Sequence, residues 1–350
     1  MSRRYVTLVC ASLLLVALAC VAFLLPVPYV TLKPGPTLDT LGKYHGKPII
    51  EFGKDVKTYD TSGSLSLTTV SVTRADSRLS LAQAFAAYFD PDDAIVPRDL
   101  IYPEGQSAGQ AEQETTAQMA GSKETSEAAA LRAAGYKVSS VVVASGVLED
   151  GPAAKVVNAG DRILEVNGTT VRATTQVIDA VGSLKPGTGV EFLIERGGKE
   201  RTVTVKTARN PDDTRRSRVG ITLTENFDFP FKVTNNVGSR IGGPSAGSMF
   251  ALAIYDKLTP GKLTDGKQIA GTGEIAGDGA VLPIGGIHQK IAGAAGANAK
   301  IFLVPSDNCA EASRGDDFGL TLLEVGTLEE AVSSLEAVAD DPDAKVPRCN

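Results

Sequence analysis

The sequence contains no tryptophan and only two histidines, His45 and His288, among its 350 residues. Catalytic zinc is usually held by two or three histidines, so this shortage argues against a multi-histidine metal site. Aromatic residues make up only 5% of the chain, which does not favour a site built on ring stacking against sugars or bases. We expect neither a metal nor a cofactor.

An excess of positive charge is also missing. The chain has 35 basic and 41 acidic residues, for a net charge of −6. Proteins that bind nucleic acids present a basic face to the phosphates, so no nucleic-acid partner is expected. The hydrophobic fraction of 43% is ordinary for a globular protein, and the length suffices for two or three modest domains.

Long apolar runs are absent except at the N-terminus. Residues 5–25 carry no charge, follow Arg3 and Arg4, and end at Pro26. As a helix, about 21 residues reach about 31 Å, the thickness of a bilayer core. The two arginines favour a cytoplasmic N-terminus. The sequence therefore predicts a single-pass anchor in the cell membrane, in contact with membrane lipid, with the rest of the chain extracytoplasmic. Removal of the run by signal peptidase is the alternative.

The four cysteines divide by location. Cys10 and Cys20 lie in the apolar run, where residues 17–20 resemble a lipobox, so lipidation of Cys20 stands beside its interpretation as a small apolar helix residue. Cys309 and Cys349 lie in the exported part, where oxidising conditions favour a disulfide. Two unpaired thiols are the alternative.

The segments after the anchor differ in composition and in the pattern of their apolar residues. Residues 30–42, rich in proline and glycine, indicate an extended stalk, and residues 48–52 and 64–72 have the pattern of strands. Residues 80–89 are typical of a helix. Residues 104–125 are polar, and they predict an exposed helix or a linker that cannot form a core alone.

Residues 128–207 have a different pattern. The segment GDRILEVNG at 160–168 places a short strand before Asn167-Gly168, a strong hairpin signal. This region resembles a PDZ domain of the bacterial type. The resemblance implies a groove that binds an extended peptide by strand addition, with residues 135–138 as the candidate carboxylate-binding loop. A simple spacer is the alternative.

One candidate nucleophile is Ser245, within the segment GGPSAGS at 242–248. A glycine-rich turn leads here into an apolar helix, so the serine lies near unpaired backbone N–H groups at a positive helix end. Such donors can stabilise an oxyanion. A serine in this position is otherwise simply a helix N-cap. The flanking residues given a supporting role are Gly243, Pro244 and Ala246.

The candidate general base is Lys290, at the end of VLPIGGIHQK, downstream of Thr272 in TGEI. Burial among apolar groups lowers the pKa of a lysine, and a neutral amine can then accept the serine proton. Ser-Lys pairs are a known variant of the catalytic triad. Taken alone, Lys290 could be a surface residue and Thr272 a plain strand residue. His288 is interpreted as exposed or structural.

Taken together and in this order, GGPSAG and TGEIAGDGAVLPIGGIHQK resemble the proteolytic domain of the Lon proteases. With the anchor and the PDZ segment, the chain resembles the YlbL family of bacterial peptidases. The resemblance implies Ser245 as nucleophile, Lys290 as base and Thr272 as the hydrogen-bond partner of the lysine. The family more often has Asp or Glu where Gly242 stands. Lon-type domains often form rings, so the resemblance leaves a homo-oligomer open.

Other motifs are weaker. Residues 243–247 fit the G-x-S-x-G elbow, but that elbow needs a buried strand before the serine and a well-placed downstream histidine. Residues 261–268 nearly match a P-loop, but glutamine replaces the Mg²⁺-binding Ser or Thr. No other nucleotide site is visible, so no nucleotide is expected as a partner. The turn of trypsin-like proteases is absent.

We therefore predict an α+β multidomain protein with a transmembrane helix, a PDZ-like domain and a Lon-type α+β domain. The expected function is an ATP-independent serine endopeptidase with a Ser-Lys dyad that acts on exported or membrane-associated proteins, its PDZ domain binding the protein or peptide substrate. The alternative is a catalytically silent PDZ adaptor at the membrane. The expected divisions are the anchor at 1–27, a stalk and strand/helix segment at 28–125 that could complete the Lon fold, the PDZ-like domain at 126–208, the Lon-type domain at 209–340 and a tail at 341–350.

Overall fold

The computed structural model describes residues 3–103, 105–211, 213–238, 241–261 and 263–349. Short 3-10 helices lie at Arg98–Leu100 and Ser306–Asn308. Within the described residues the α-helices are α1 (Arg3–Leu24), α2 (Leu81–Tyr88), α3 (Ala108–Ala133), α4 (Thr174–Gly182), α5 (Gly247–Leu258), α6 (Ile287–Gly296), α7 (Cys309–Ala312) and α8 (Leu328–Asp340).

Strands occupy much of the chain between these helices, and this mixture of helices and strands confirms the α+β class. They are β1 (Pro26–Val27), β2 (Tyr29–Pro34), β3 (Leu38–Asp39), β4 (Lys43–Tyr44), β5 (Lys47–Pro48), β6 (Ile50–Phe52), β7 (Ser64–Leu67), β8 (Val70–Val72), β9 (Leu79–Ser80), β10 (Ala94–Pro97), β11 (Ser139–Val147), β12 (Arg162–Val166), β13 (Thr169–Thr170), β14 (Gly189–Arg196), β15 (Lys199–Lys206), β16 (Ala208–Arg209), β17 (Ser217–Arg218), β18 (Ile221–Asp228), β19 (Val233–Asn235), β20 (Gln268–Gly271), β21 (Glu274–Ile275), β22 (Val281–Leu282), β23 (Ile301–Pro305) and β24 (Thr321–Val325).

A five-stranded sheet in the order β24-β23-β20-β7-β3 forms the centre of the larger domain. Its strands are parallel except β3, which runs antiparallel to β7. Alternate residues of β23 face opposite sides: Ile301 and Leu303 join the cluster packed by α3, α5 and α8, while Phe302 joins the cluster packed by α6 and α7. Both faces are covered, as is usual for parallel strands, whose side chains are therefore apolar on both sides.

The segment between the anchor and α3 is folded into this domain rather than extended. Strand β7 lies between β20 and β3, and β6 pairs with β19 from the far side of the PDZ region. Residues 30–42 are not a stalk: β2 is the middle strand of the β10-β2-β8 sheet, and Val30 is fully buried. The proline and glycine content of these residues suggested a stalk, but the neighbouring strands β10 and β8 satisfy the backbone of β2.

Residues 108–125 form the first part of α3 and are mostly exposed, as the exposed-helix alternative predicted, and the helix continues beyond them to Ala133. It starts at a capping box between Ser107 and Gln110 and runs for 26 residues. Its C-terminal half packs on α5, where Leu131 is buried, and Met119 is buried near the middle of the helix. The small residues of α3 let the two helices approach closely, and a count of apolar residues alone does not detect this contact.

The PDZ region is a separate sheet in the order β15-β14-β12-β11-β18, covered by α4 around its own core. Asn167 and Gly168 both have positive φ angles in the β12–β13 turn, as the sequence indicated. The expected boundary near 208 is too early, because β18 pairs along the whole of β11. Residues 135–138 are not part of the groove, since Val138 packs in the core of the larger domain.

The C-terminal segment is fixed to the sheet. Cys309 and Cys349 form a disulfide with Cα atoms 5.0 Å apart, and the amide of Cys349 donates to the Leu322 carbonyl. Helix α8 begins at the capping box formed by Thr327 and Glu330, a pattern visible in the sequence.

Helix α1 is the one helix among the described residues that is long and apolar enough to cross a membrane. None of its side chains is buried against the rest of the protein. The length and composition of α1 are compatible with a membrane anchor.

Candidate active site

Ser245 lies in the turn that leads into α5, whose N-cap is Ala246. Gly243 has a φ of +83°, a conformation that favours glycine and lets the chain turn sharply before the serine. Within the described residues the amides of Ser245 and Ala246 have no hydrogen-bond partner, and both residues line an open cleft of about 610 Å³. Two free donors at a helix start suit a developing oxyanion.

Helix α3 supports this turn from behind. The Gly243 amide donates to the Thr115 carbonyl at 3.0 Å. The hydroxyl of Ser122 donates to the Pro244 carbonyl, and that of Ser126 donates to the Gly247 carbonyl, each at 2.9 Å. Sequence reasoning missed these residues, although Ser122 and Ser126 are four positions apart and so share one helix face.

Lys290 lies in the first turns of α6 and is 3% exposed. Gly286, with a φ of +70°, begins the helix in a left-handed conformation. The lysine Nζ donates to Thr272 Oγ1 at 3.1 Å. Burial lowers the pKa of Lys290 to about 7, because an apolar environment disfavours the charged amine. A large fraction of Lys290 is thus neutral near neutral pH.

Thr272 joins the lysine to the nucleophile turn. Its side chain is fully buried, and its hydroxyl donates to the Ser245 carbonyl at 2.9 Å. Because the single hydroxyl proton is used there, Thr272 Oγ1 must accept from Lys290. This leaves the lone pair of a neutral Lys290 amine free for another proton. No hydrogen bond joins Lys290 Nζ to Ser245 Oγ in this structure.

The cleft opens at the carboxyl ends of β7 and β20. Thr68 and Thr272 follow these two strands, and Val70 and Val72 of β8 form one wall. Ligands usually bind at this edge of a parallel sheet. His288 is partly exposed beside Gly315 and does not line the cleft. No group of His, Cys, Asp or Glu in the described chain could hold a metal ion.

A second contact of α3 holds the strand that leads toward the nucleophile turn. Lys123 Nζ donates to the carbonyls of Asn235 and Val237, and Glu127 accepts from the Val233 amide at 3.2 Å. Burial lowers the pKa of Lys123 and raises that of Glu127 to about 7. Strand β19 is thus tied to α3 by two half-buried ionisable groups.

The stability of the protein is expected to fall as pH rises through about 7, because of Glu127. Its pKa is raised from about 4.5 in the unfolded chain to about 7 in the folded one. The folded state therefore binds the proton more tightly, so this stabilisation is complete below pH 4.5 and lost above pH 7, amounting to about 1–2 kcal/mol for a partly exposed group. Glu127→Gln should flatten the curve of unfolding free energy against pH between those values.

The matched control for this prediction is Glu112→Gln, which changes an exposed glutamate of the same helix. Chemical denaturation at several pH values measures the difference between each variant and the unmodified protein. If the Glu127→Gln difference does not change between pH 5 and pH 8, the buried carboxyl does not titrate as its environment indicates.

The PDZ region touches the active-site domain at the β21–β22 hairpin, which begins two residues after Thr272. Arg132 of α3 donates to the Gly277 carbonyl at the hairpin tip and to Ser140 of β11. The neighbouring Asp278 accepts from Thr175 of α4. Glu225 of β18 accepts from the Thr174 amide at 2.6 Å. The hairpin thus connects the start of α4 with the loop that carries Thr272.

The PDZ groove lies between α4 and the free edge of β18. Its apolar lining comes from Val177 and Val181 on the helix and from Ile221 and Leu223 on the strand. Gly220, with a φ of +76°, precedes the strand. Since β11 is the one strand that pairs with β18 among the described residues, the other edge of β18 can pair with an added strand.

The P-loop-like segment is a turn between α5 and β20. Lys262 lies outside the described residues. The amide of Leu263 donates to Asp256 at 3.0 Å, and Thr264 donates to the Ser62 carbonyl. Among the described residues a helix, α5, rather than a strand precedes this turn, and the turn is bonded to one side chain and one backbone carbonyl of the surrounding fold.

Comparison with known proteins assigns both regions. The PDZ domain family model matches residues 114–207, and the model of the Lon protease (S16) C-terminal proteolytic domain matches residues 237–324. The PDZ match starts inside α3 and stops before β18, so its limits differ from those of the folded unit. Strand β7 and helix α3 lie outside the Lon match, although they pack in the same core.

Individual relatives agree with this division. The Lon protease of Phenylobacterium zucineum is 31% identical over 157 residues, which cover 44% of this chain and 19% of that protein. A probable periplasmic DegP-like serine endoprotease of Halomonas elongata is 42% identical over 64 residues, 18% of this chain and 14% of that protein. This chain thus spans about a fifth or less of these relatives.

Among solved structures, the PDZ domain of an SdrC-like protein from Listeria monocytogenes is 32% identical, covering 23% of this chain and 85% of that domain, with a TM-score of 0.22.

Proposed function

We propose that this chain, in which a PDZ domain accompanies a Lon-type proteolytic domain, is a serine endopeptidase with Ser245 as nucleophile and Lys290 as general base. The observation that carries the proposal is the buried lysine in the same cleft as a serine at a helix start. Its lowered pKa, about 7, suits a base that works near neutral pH. The match to the Lon proteolytic domain supports the same assignment.

The proposed reaction is acyl transfer. Neutral Lys290 takes the proton of Ser245 Oγ as the oxygen attacks a peptide carbonyl, and the amides of Ser245 and Ala246 receive the developing negative charge. The lysine ammonium then gives its proton to the leaving amine. In the second half, Lys290 takes a proton from the water that attacks the acyl-enzyme and returns it to Ser245 Oγ as the acyl bond breaks and the acid product leaves. Thr272 orients the amine throughout, and Gly243 and Pro244 shape the turn.

The proposed setting is the extracytoplasmic face of a membrane, with α1 as anchor and substrates that are exported or membrane-associated. Cleavage is proposed to be independent of ATP, since the P-loop-like turn lacks the Mg²⁺-binding hydroxyl and is bonded into the core. Without an unfoldase, substrates must be unfolded or have exposed segments. The free edge of β18 would hold an extended segment of such a substrate.

A second candidate function is a catalytically silent PDZ adaptor. One observation favours this function: Ser245 Oγ makes no hydrogen bond with Lys290 in this structure. The same observation fits an enzyme that a bound peptide activates, since the β21–β22 hairpin connects the PDZ domain with the Thr272 loop. An adaptor and a peptide-activated enzyme differ in whether a covalent intermediate forms on the serine.

The test is to trap that intermediate. The full chain in detergent micelles is mixed with an activated peptide ester, acidified, and digested for mass spectrometry, in parallel with cleavage of an unfolded protein without nucleotide. We expect an acyl adduct on Ser245 and internal cleavage that ATP does not accelerate. Ser248 is the internal control, a buried serine on α5. An adduct elsewhere contradicts the assignment, and no adduct or cleavage even with PDZ-binding peptides supports the adaptor.

A further inference from the structure

Helix α2 is apolar and exposed, an unusual combination. Residues 81–89 include no charged residue, and only Ala87 of the helix is buried. Phe85, Tyr88 and Phe89 are 56%, 74% and 69% exposed. Their rings contact one another, with centroids 5.3 and 5.4 Å from Phe89. Surface helices normally place charged or polar side chains toward water, so this cluster indicates a partner.

The position of α2 identifies that partner. The strand before it, β9, pairs with β1 directly after α1. The amide of Leu81 donates to the Leu25 carbonyl at 3.0 Å. The first residue of α2 is therefore hydrogen-bonded to the residue that follows α1. If α1 crosses a bilayer, α2 must lie where the helix leaves it.

Other exposed apolar side chains gather at the same end of the protein. Beyond α1, the large hydrophobic side chains that the described residues expose fall into three places: the PDZ groove with Leu148 and Ile178, the single residue Phe318, and a belt formed by Leu25, Tyr29, Leu81, Phe85, Tyr88, Phe89, Leu100 and Ile101. Tyrosine is favoured at the level of lipid headgroups because its ring is apolar and its hydroxyl is polar, and phenylalanine and leucine are typical of the apolar face of interfacial helices.

We propose that α2 and Phe89 lie in the outer interface of the bilayer, with their aromatic side chains inserted among headgroups and upper acyl chains. This inference rests on the proposed anchoring by α1. A helix of this kind gains affinity from the apolar area it removes from water. Helix α2 would be a second contact with the membrane besides α1. Two contacts fix the orientation of the domain relative to the bilayer, whereas a single helix leaves it free to rotate.

That orientation places the cleft on the membrane side of the domain. Strand β7 leads through Thr68 and Thr69 into β8, whose neighbour β2 follows the anchor. The cleft lies at the carboxyl ends of the parallel strands, on the same side as these elements. Phe318 precedes β24 and therefore lies at the opposite, amino end of the sheet. Polypeptides that emerge from the bilayer would thus meet the cleft first.

The absence of tryptophan makes this testable, because any introduced tryptophan is the sole indole in the chain. Three full-chain variants are reconstituted in phosphatidylcholine vesicles with or without lipids brominated on the upper acyl chain: Tyr88→Trp, Leu18→Trp in α1 and Phe318→Trp. We expect bromination to reduce the fluorescence of Tyr88→Trp to less than about half, to quench Leu18→Trp as well, and to leave Phe318→Trp unchanged. Phe85→Trp repeats the measurement at a second position.

The outcomes separate the two proposals. If Leu18→Trp is not quenched, α1 does not span the bilayer and the anchoring proposal fails. If Leu18→Trp is quenched while Tyr88→Trp and Phe85→Trp are not, the anchor stands and the interfacial role of α2 is wrong. An unquenched but blue-shifted Tyr88→Trp emission that depends on the protein-to-lipid ratio would show that a second copy of the chain covers α2, which also overturns the inference.

Discussion

Replacing Lys290 with methionine is expected to lower kcat for peptide cleavage by about a thousandfold or more, and Ser245→Ala by at least as much. Methionine keeps most of the volume of the buried side chain but has no lone pair that can accept the serine proton. Because Ser245 and Lys290 act as one unit, the double variant should be little worse than either single variant. Folding should survive, since an apolar side chain suits the buried position better than an amine.

Two controls isolate the effect. Ser248→Ala removes a buried hydroxyl without a hydrogen-bond partner only three residues from Ser245. Lys257→Met removes another lysine whose pKa burial lowers, outside the cleft. Both should keep activity within a few-fold. The measurement is initial cleavage rate with purified full chain, beside a thermal unfolding curve for each variant. A folded Lys290→Met protein with activity within tenfold of the unmodified chain would refute the proposed base.

Prediction of local structure from sequence succeeded where the signal lies in contiguous motifs. The segments around Ser245 and Lys290 predicted a turn before a helix and a lysine on a buried helix face, and α5 and α6 have these forms. Asn167-Gly168 likewise predicted its hairpin. In each case the signal is local, since glycine geometry and helix starts depend on a few neighbouring residues.

Prediction failed where the contact partner is distant in sequence. The contact between α3 and α5 was not predicted, because most buried residues of α3 are Ser and Ala, and their role appears only against α5 and the nucleophile turn. Strand β18 was assigned to the wrong domain because its partner β11 lies about eighty residues earlier. Strand β2 was taken for part of a stalk because residues 30–42 are rich in proline and glycine, but its backbone is paired with a strand on each side.

We propose from this topology that the Lon-type domain is discontinuous, formed by the segment from β2 through α3 and by the chain from β19 onward, with the PDZ domain inserted between them. The two segments that join the PDZ domain to the Lon-type domain both lie beside the β21–β22 hairpin. Arg132 of the first segment donates to the hairpin, and Glu225 of the second interacts with Asp278 at its tip. Burial raises the pKa of Glu225, and its Oε2 has no partner. With the PDZ domain inserted at this place, the hairpin connects the domain that would bind a peptide with the loop that carries Thr272.

Removing the hydroxyl of Thr272 should lower activity by about ten- to a hundredfold without abolishing it. In Thr272→Val the buried Lys290 amine loses the oxygen to which it donates and is free to turn away from Ser245. The Ser245 carbonyl also loses one of its two donors, but the Gly273 amide still binds it at 2.9 Å. Thr272 is therefore a positioning residue, and its loss should act mainly on kcat.

The pH profile shows whether Thr272 works through Lys290. Activity should rise with pH through about 7, because only the neutral amine is a base and the pKa of Lys290 is about 7. The threonine oxygen accepts a hydrogen bond that favours the charged amine, so its removal should lower the pKa of Lys290 further. In Thr272→Val the rising limb of kcat/KM should move to lower pH while the plateau falls, and Thr272→Ser should restore both. A lower plateau with an unmoved limb would mean that valine only disturbs packing.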